Sequence, residues 1–144
     1  MRTAAVMTRH VVIVAPSVTV GAAADLMQRL RIRHLPVVES GRLAGILSDR
    51  DVLKHDRATI CGEAMTPSPV TCSPDAPTSR IARLMLDHKI DSVPVVGESG
   101  SLLGLVTSAD LLSLLLDKAE AEMLPFGFKL RLAASDAEAN AFAA

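Results

Sequence analysis

The period of the apolar positions changes several times along the chain, and it changes in the same order twice. Residues 11–14 form a short, apolar, mostly β-branched run of the kind that makes a buried strand, and residues 70–72 are its counterpart. A helical period follows each. Val20, Ala23, Ala24, Met27 and Leu30 recur at spacings of three and four behind Ser17 or Thr19 as N-cap, and Ile81, Leu84, Met85 and His88 form the second stripe behind Asp75 or Thr78. Residues 35–38 and 43–47 are then two short apolar strands around the polar turn Glu39-Ser40-Gly41, and residues 93–96 and 102–106 repeat that hairpin. Ser48 and Thr107 follow the hairpins. Each stands just before a second helix, where a hydroxyl accepts the unpaired N–H groups of the first turn.

The recurrence is also one of identity. Residues 6–38 set against 64–96, and then, past Gly97, residues 39–53 against 98–112, give 18 identities in 48 aligned positions. The shared positions are punctuators and core residues: Met7-Thr8 with Met65-Thr66, Pro16 with Pro74, Leu26-Met27 with Leu84-Met85, Pro36-Val37-Val38 with Pro94-Val95-Val96, Gly45 with Gly104, and Asp51 with Asp110. Each copy reads as β-α-β-β-α. A unit of ~50 residues buries too little surface to stand comfortably alone, so two copies are expected to pack against each other as one pseudo-symmetric body. After the second copy, the helix beginning at Leu111 is expected to run to about Met123 and to stop near Pro125-Phe126-Gly127.

Length and composition narrow the field. At 144 residues and 15.2 kDa, with 49% apolar and 22% charged residues, the chain is expected to fold as one small body. Mean hydropathy is high at +0.34, yet no apolar run approaches the ~20 residues of a membrane span, and no signal-peptide pattern opens the chain. A cytoplasmic location is the expectation. Cys61 and Cys72 match neither a disulfide framework nor a zinc spacing. Net charge is −1, but residues 1–58 hold nine Lys or Arg against five Asp or Glu, and residues 59–144 hold six against eleven.

These residues resemble a tandem pair of CBS domains, also called a Bateman module, over roughly residues 6–116. The opening Met-Thr, the Leu-Met of the first helix, the Pro-Val-Val strand and the Gly-x-x-Ser/Thr-x-x-Asp motif all occur in both copies at matching spacing. The resemblance implies a mixed α/β (α+β) fold of two repeats packed sheet to sheet, with boundaries at 6–57 and 64–117, a linker at 58–63 and a C-terminal extension at 118–144. It further implies a stand-alone regulatory module that dimerises and binds an adenosine-containing ligand, AMP, ADP, ATP or S-adenosylmethionine, for a regulated protein the sequence does not name.

In the motif from Gly45 to Asp51 a strand ends at Ser48 and a helix begins, so free N–H groups face any anion there. Two roles are open for Ser48 and Asp51, and equally for Thr107 and Asp110: helix capping, or binding of phosphate by the hydroxyl and of the ribose diol by the carboxylate, as the family implies. The family also implies a basic residue before the strand that reaches phosphate, which here is Arg33 or His34, and Arg50 lies inside the motif. Adenine is expected against Val12, Leu35, Pro36, Val70, Val93 and Pro94. Because copy two has Asp91-Ser92 and Ser108-Ala109 where copy one has these basic residues, Asp51→Ala is expected to weaken nucleotides more than Asp110→Ala.

No catalytic constellation or metal-ligand cluster emerges, so an enzyme is not expected. Nucleic-acid binding is disfavoured by the pI of 6.4 and the absence of aromatic residues from both repeats. The alternative to a ligand-binding regulator is a ligand-free dimerisation or docking module.

Overall fold

The computed structural model describes residues 1–121. The first helix, α1 (Val20–Leu30), starts where the Thr19 hydroxyl accepts the Ala22 N–H at 3.2 Å, and it turns Val20, Ala23 and Met27 inward. It ends at Arg31, whose left-handed φ of 55° lets its N–H turn back on the last-turn carbonyls. Strands β1 (His34–Glu39) and β2 (Arg42–Ser48) pair antiparallel. Between them Ser40 and Gly41 both take positive φ, at 50° and 76°, the hairpin geometry whose twist matches that of the strands. A short helix, α2 (Asp49–Leu53), closes the first pattern; a single turn, α3 (Cys61–Ala64), and a two-residue strand, β3 (Thr66–Pro67), open the next. Then come α4 (Thr78–His88), β4 (Ser92–Val96), β5 (Leu102–Thr107) and α5 (Ser108–Ala121). The two hairpins slip register at equivalent places, Val37/Val38 and Val95/Val96, as copies of one unit would. The result is the mixed α/β pair of repeats that the sequence implies. Of the tail, Phe126, Phe128, Phe142 and the expected stop at Pro125 lie outside the described residues.

Two local expectations are corrected. Residues 11–14 and 70–72 are not strands: Val14 alone bridges Val37 and Cys72 alone bridges Val95, both parallel. The segment skirts the sheet edge, so Val14 is buried while Val12 and Ile13 stay 37% and 48% exposed; a β-branched run does not by itself imply burial on both faces. The N-terminus of α4 is capped by neither Asp75 nor Thr78. Pro77 holds the N-cap position, and the Thr78 N–H donates to the Met1 carbonyl at 3.0 Å.

That last contact belongs to a systematic exchange between the repeats. In the matching place the Val20 N–H donates to the Thr59 carbonyl at 2.7 Å. Thr3 donates from both N–H and hydroxyl to the Ala76 carbonyl at 2.8 Å, and Thr8 exchanges backbone hydrogen bonds with Leu105. Val6 and Met7 complete the core of Ile81, Met85, Val93, Val95 and Val106. Conversely, Cys61, Ala64 and Met65 pack with Val20, Met27, Leu35, Val37 and Leu47. Each repeat's opening segment therefore closes the other repeat's core. The pseudo-symmetry thus extends to residues 1–5 and 59–63, pairs that share no identity.

Candidate functional site

A cleft of about 330 Å³ opens between the repeats, within the size range of small-molecule sites. Copy one contributes His34, at the start of β1, and Ser48 to Asp51, where β2 passes into α2. Copy two contributes Ser68 to Val70, which follow β3, and His88 to Ser92, where α4 passes into β4. Local backbone geometry sets both of the latter: Ser68 (φ 45°) and Lys89 (φ 53°) take left-handed conformations, bending the chain toward the cleft.

Ser48 and Asp51 form a reciprocal capping box. The Ser48 N–H donates to Asp51 Oδ2 at 2.8 Å, and the Asp51 N–H donates to the Ser48 hydroxyl at 3.2 Å. Thr107 and Asp110 repeat the box. There the Thr107 N–H and hydroxyl both donate to Asp110 Oδ2, at 2.8 and 3.1 Å. The cap engages Oδ2 of each aspartate. Among the described residues the Oδ1 atoms accept no hydrogen bond, so capping and binding a diol are compatible roles.

The cleft is not basic. Three carboxylates, Asp49, Asp51 and Asp91, face the two permanent cations Arg50 and Lys89. Burial pushes the His34 imidazole below its ordinary value, and Arg33 adds to that push; Asp91, Asp49 and Asp51 pull the other way. The helix that begins here is only five residues long, with Asp49 and Asp51 already in its first turn, so its dipole offers an anion little.

Of the residues singled out in the sequence, Ser48, Arg50, Asp51, His34 and Val70 line this cleft. Arg33 does not. Its carbonyl accepts the Asp49 N–H at 2.9 Å, and the residue in the cleft from its position in the repeat is Asp91 of copy two. Thr107, Asp110 and Val12 occupy the pseudo-symmetric positions of Ser48, Asp51 and Val70. Leu35, Pro36, Val93 and Pro94 are corrected: all four are fully buried inside the repeats and offer a ligand no surface. The hydrophobicity that suggested an adenine wall instead serves the cores. Lys89, Ile90 and Asp91 were missed, because the crossing that brings copy two's helix end to copy one's motif leaves no local signal. Cys61 and Cys72 are buried free thiols, pushed up by burial, and no cluster of metal-ligating side chains occurs among the described residues.

A doubled sheet-and-helix unit, with a Ser/Thr-x-x-Asp box at the mouth of an inter-repeat cleft, defines a class of paired-repeat modules. The family model for the CBS domain matches residues 4–58 and 61–117, and the chain belongs to that family as a tandem pair. It is 34% identical over 111 residues to the CBS domain-containing protein YhcV of Bacillus subtilis, covering 73% of this chain and 79% of that one. It is 36% identical over 104 residues to the inosine-5′-monophosphate dehydrogenase of Korarchaeum cryptofilum, where the match covers 72% of this chain and spans only 22% of the enzyme. A solved CBS domain pair in complex with 5′-methylthioadenosine and S-adenosylmethionine superposes with a TM-score of 0.77 at 27% identity, covering 82% of this chain and 98% of that one. CBSX2 in complex with AMP does so with a TM-score of 0.75 at 27% identity, covering 81% and 97%.

Proposed function

We propose that this chain is a regulatory module, not an enzyme, that takes an adenosine-containing ligand between its repeats and signals occupancy to a partner protein. The observation that carries this reading is that the cleft draws its walls from both repeats, so a ligand seated there touches both and biases their relative packing. The Oδ1 atom of Asp51 accepts the ribose hydroxyls while Oδ2 holds the cap. The family membership and the adenosine ligands of the two superposed CBS proteins support the ligand class. Nothing in the cleft favours a nucleic acid, and no helix among the described residues is long and apolar enough to cross a membrane. The module acts as a homodimer in the cytoplasm in this reading.

The test is thermal unfolding of the purified chain with AMP, ADP, ATP, S-adenosylmethionine and 5′-methylthioadenosine, with guanosine nucleotides as controls. A micromolar ligand at about 1 mM adds about 4 kcal/mol, a shift of several degrees. We expect adenosine ligands alone to produce it, and the double variant Asp51→Ala/Asp110→Ala to abolish it. No shift with any ligand, from a chain that unfolds cooperatively, replaces this reading with the ligand-free dimerisation or docking module. The exposed leucines of α5 favour that alternative.

A further inference from the structure

The pseudo-two-fold that relates the repeats gives each residue of the Ser48–Asp51 cleft a mate in the other repeat, and the two sets differ in charge. The relation is visible in matched hydrogen bonds: the Asp49 N–H donates to the Arg33 carbonyl at 2.9 Å, and the Ser108 N–H donates to the Asp91 carbonyl at 2.8 Å. Likewise Ile46 pairs with Thr66 and Leu105 bridges Thr8. Asp91 and Lys89 line the Ser48–Asp51 cleft, so Arg33 and Arg31 stand at the mate positions. Asp49 and Arg50 are replaced there by Ser108 and Ala109.

Setting histidines aside, the cleft at Ser48 holds three carboxylates against two cations, and the mate positions hold the single carboxylate Asp110 against two. Arg31 and Arg33 are exposed and make no ion pair among the described residues; the pairs formed there are Arg2–Asp75 and Arg57–Asp25. The first turns of the two helices repeat the contrast. The fourteen-residue α5 has only Asp110 in its first turn, whereas α2 has both Asp49 and Asp51. Charge of one sign around a cleft concentrates ligands of the other.

We infer that the mate positions of Thr107, Asp110, Arg31 and Arg33 form a second ligand seat and that the two seats are sorted by ligand charge: the one at Thr107–Asp110 takes a phosphate-bearing adenosine nucleotide through Arg31 and Arg33, and the Ser48–Asp51 cleft takes an adenosine ligand without phosphate. This rests on the proposed function. It reverses the ranking drawn from sequence, in which the basic residues of copy one served copy one's own motif. The crossed packing hands them to copy two's motif instead.

Isothermal titration of the full chain with AMP and with 5′-methylthioadenosine tests the assignment, with folding of each variant checked by thermal melt. Arg33→Ala and Asp110→Ala are expected to raise the Kd for AMP at least tenfold, and Asp51→Ala to do the same for 5′-methylthioadenosine. Asp91→Arg, which gives the Ser48 cleft the cation of its mate, is expected to raise the number of AMP molecules bound per chain from one to two. Binding of AMP is also expected to weaken steeply with salt, unlike that of the neutral ligand. Adenosine ligands that bind but lose equally in the two aspartate variants, or AMP lost in Asp51→Ala and kept in Arg33→Ala, overturn the sorting and leave the proposed function standing. Failure of both ligands to bind the wild-type chain overturns the sorting, and failure of ADP, ATP and S-adenosylmethionine as well overturns the proposed function with it.

Discussion

Gly45 and Gly104 show how a single missing side chain registers one repeat on the other. A Cβ on Gly104 would lie 2.8 Å from the Thr8 carbonyl oxygen and 2.6 Å from Met7 Sδ; one on Gly45 would lie 2.7 Å from the Thr66 carbonyl and collide with Met65. Each glycine is thus the seat of the methionine that opens the opposite repeat. Carbonyl oxygens cannot swing aside as a side chain can, so Gly104→Ala and Gly45→Ala are expected to cost about 1–3 kcal/mol in urea unfolding. Gly97→Ala is the control. Its added methyl would find Ser101 Oγ no nearer than 3.4 Å, ordinary contact distance, and its cost is expected to stay within about 0.5 kcal/mol. Equal losses at Gly97 and Gly104 would remove the steric account. Met7, Met65, Gly45 and Gly104 were all legible as repeated identities, but their crosswise pairing was not, because identity in two copies does not say which copy packs on which.

At the scale of elements, helices and hairpins follow from sequence because their signals are local. The 3.6-residue stripe of α1 begins one residue after Thr19, one of its two expected caps, and both hairpins fall within a residue or two of their apolar runs. The caps of α4 and the edge segments at Val14 and Cys72 departed from expectation because their partners are remote: the Met1 carbonyl in one case, a sheet edge in the other. α5 also carries a consequence of its own. Leu111 packs on the second core, while Leu112, Leu115 and Leu116, on one face at helical spacing, are 60%, 61% and 68% exposed. Covering that face is the reason to expect a homodimer. Light scattering at tens of micromolar should give twice the chain mass for the wild type and the chain mass for Leu115→Asp. A monomeric wild type would end the dimer reading.

For the whole molecule, the exchange of opening segments makes the two cores interdependent. Residues 1–8 bring Thr3, Val6 and Met7 to the second repeat, so a chain starting at Arg9 lacks both the Thr3–Ala76 hydrogen bonds and part of that core. Its loss is expected to be about 2–5 kcal/mol, on the scale of truncating one large core side chain. Hydrogen exchange should show where the loss falls: amides of β4 and β5 lose protection ahead of those of β1 and β2. Uniform loss, or none, would mean the segment is an ornament on the second repeat rather than a part of it. The same exchange governs the cleft, which needs copy two's Ser68 to Val70 and Asp91 beside copy one's Ser48 and Asp51.

The order of elements, the doubling of the unit, the capping boxes at Ser48–Asp51 and Thr107–Asp110 and the family itself were in the sequence, because periodicity, caps and turns are settled by neighbours a few residues apart. Which valines and prolines face a ligand and which face a core, which repeat receives Met7 and Met65, and whether Arg33 or Asp91 stands beside Ser48 were decided only in three dimensions. Those outcomes depend on contacts between segments remote in sequence, such as Thr3 with Ala76 and Thr8 with Leu105, whose free energy comes from burying both repeats at once rather than from any run of sequence read alone.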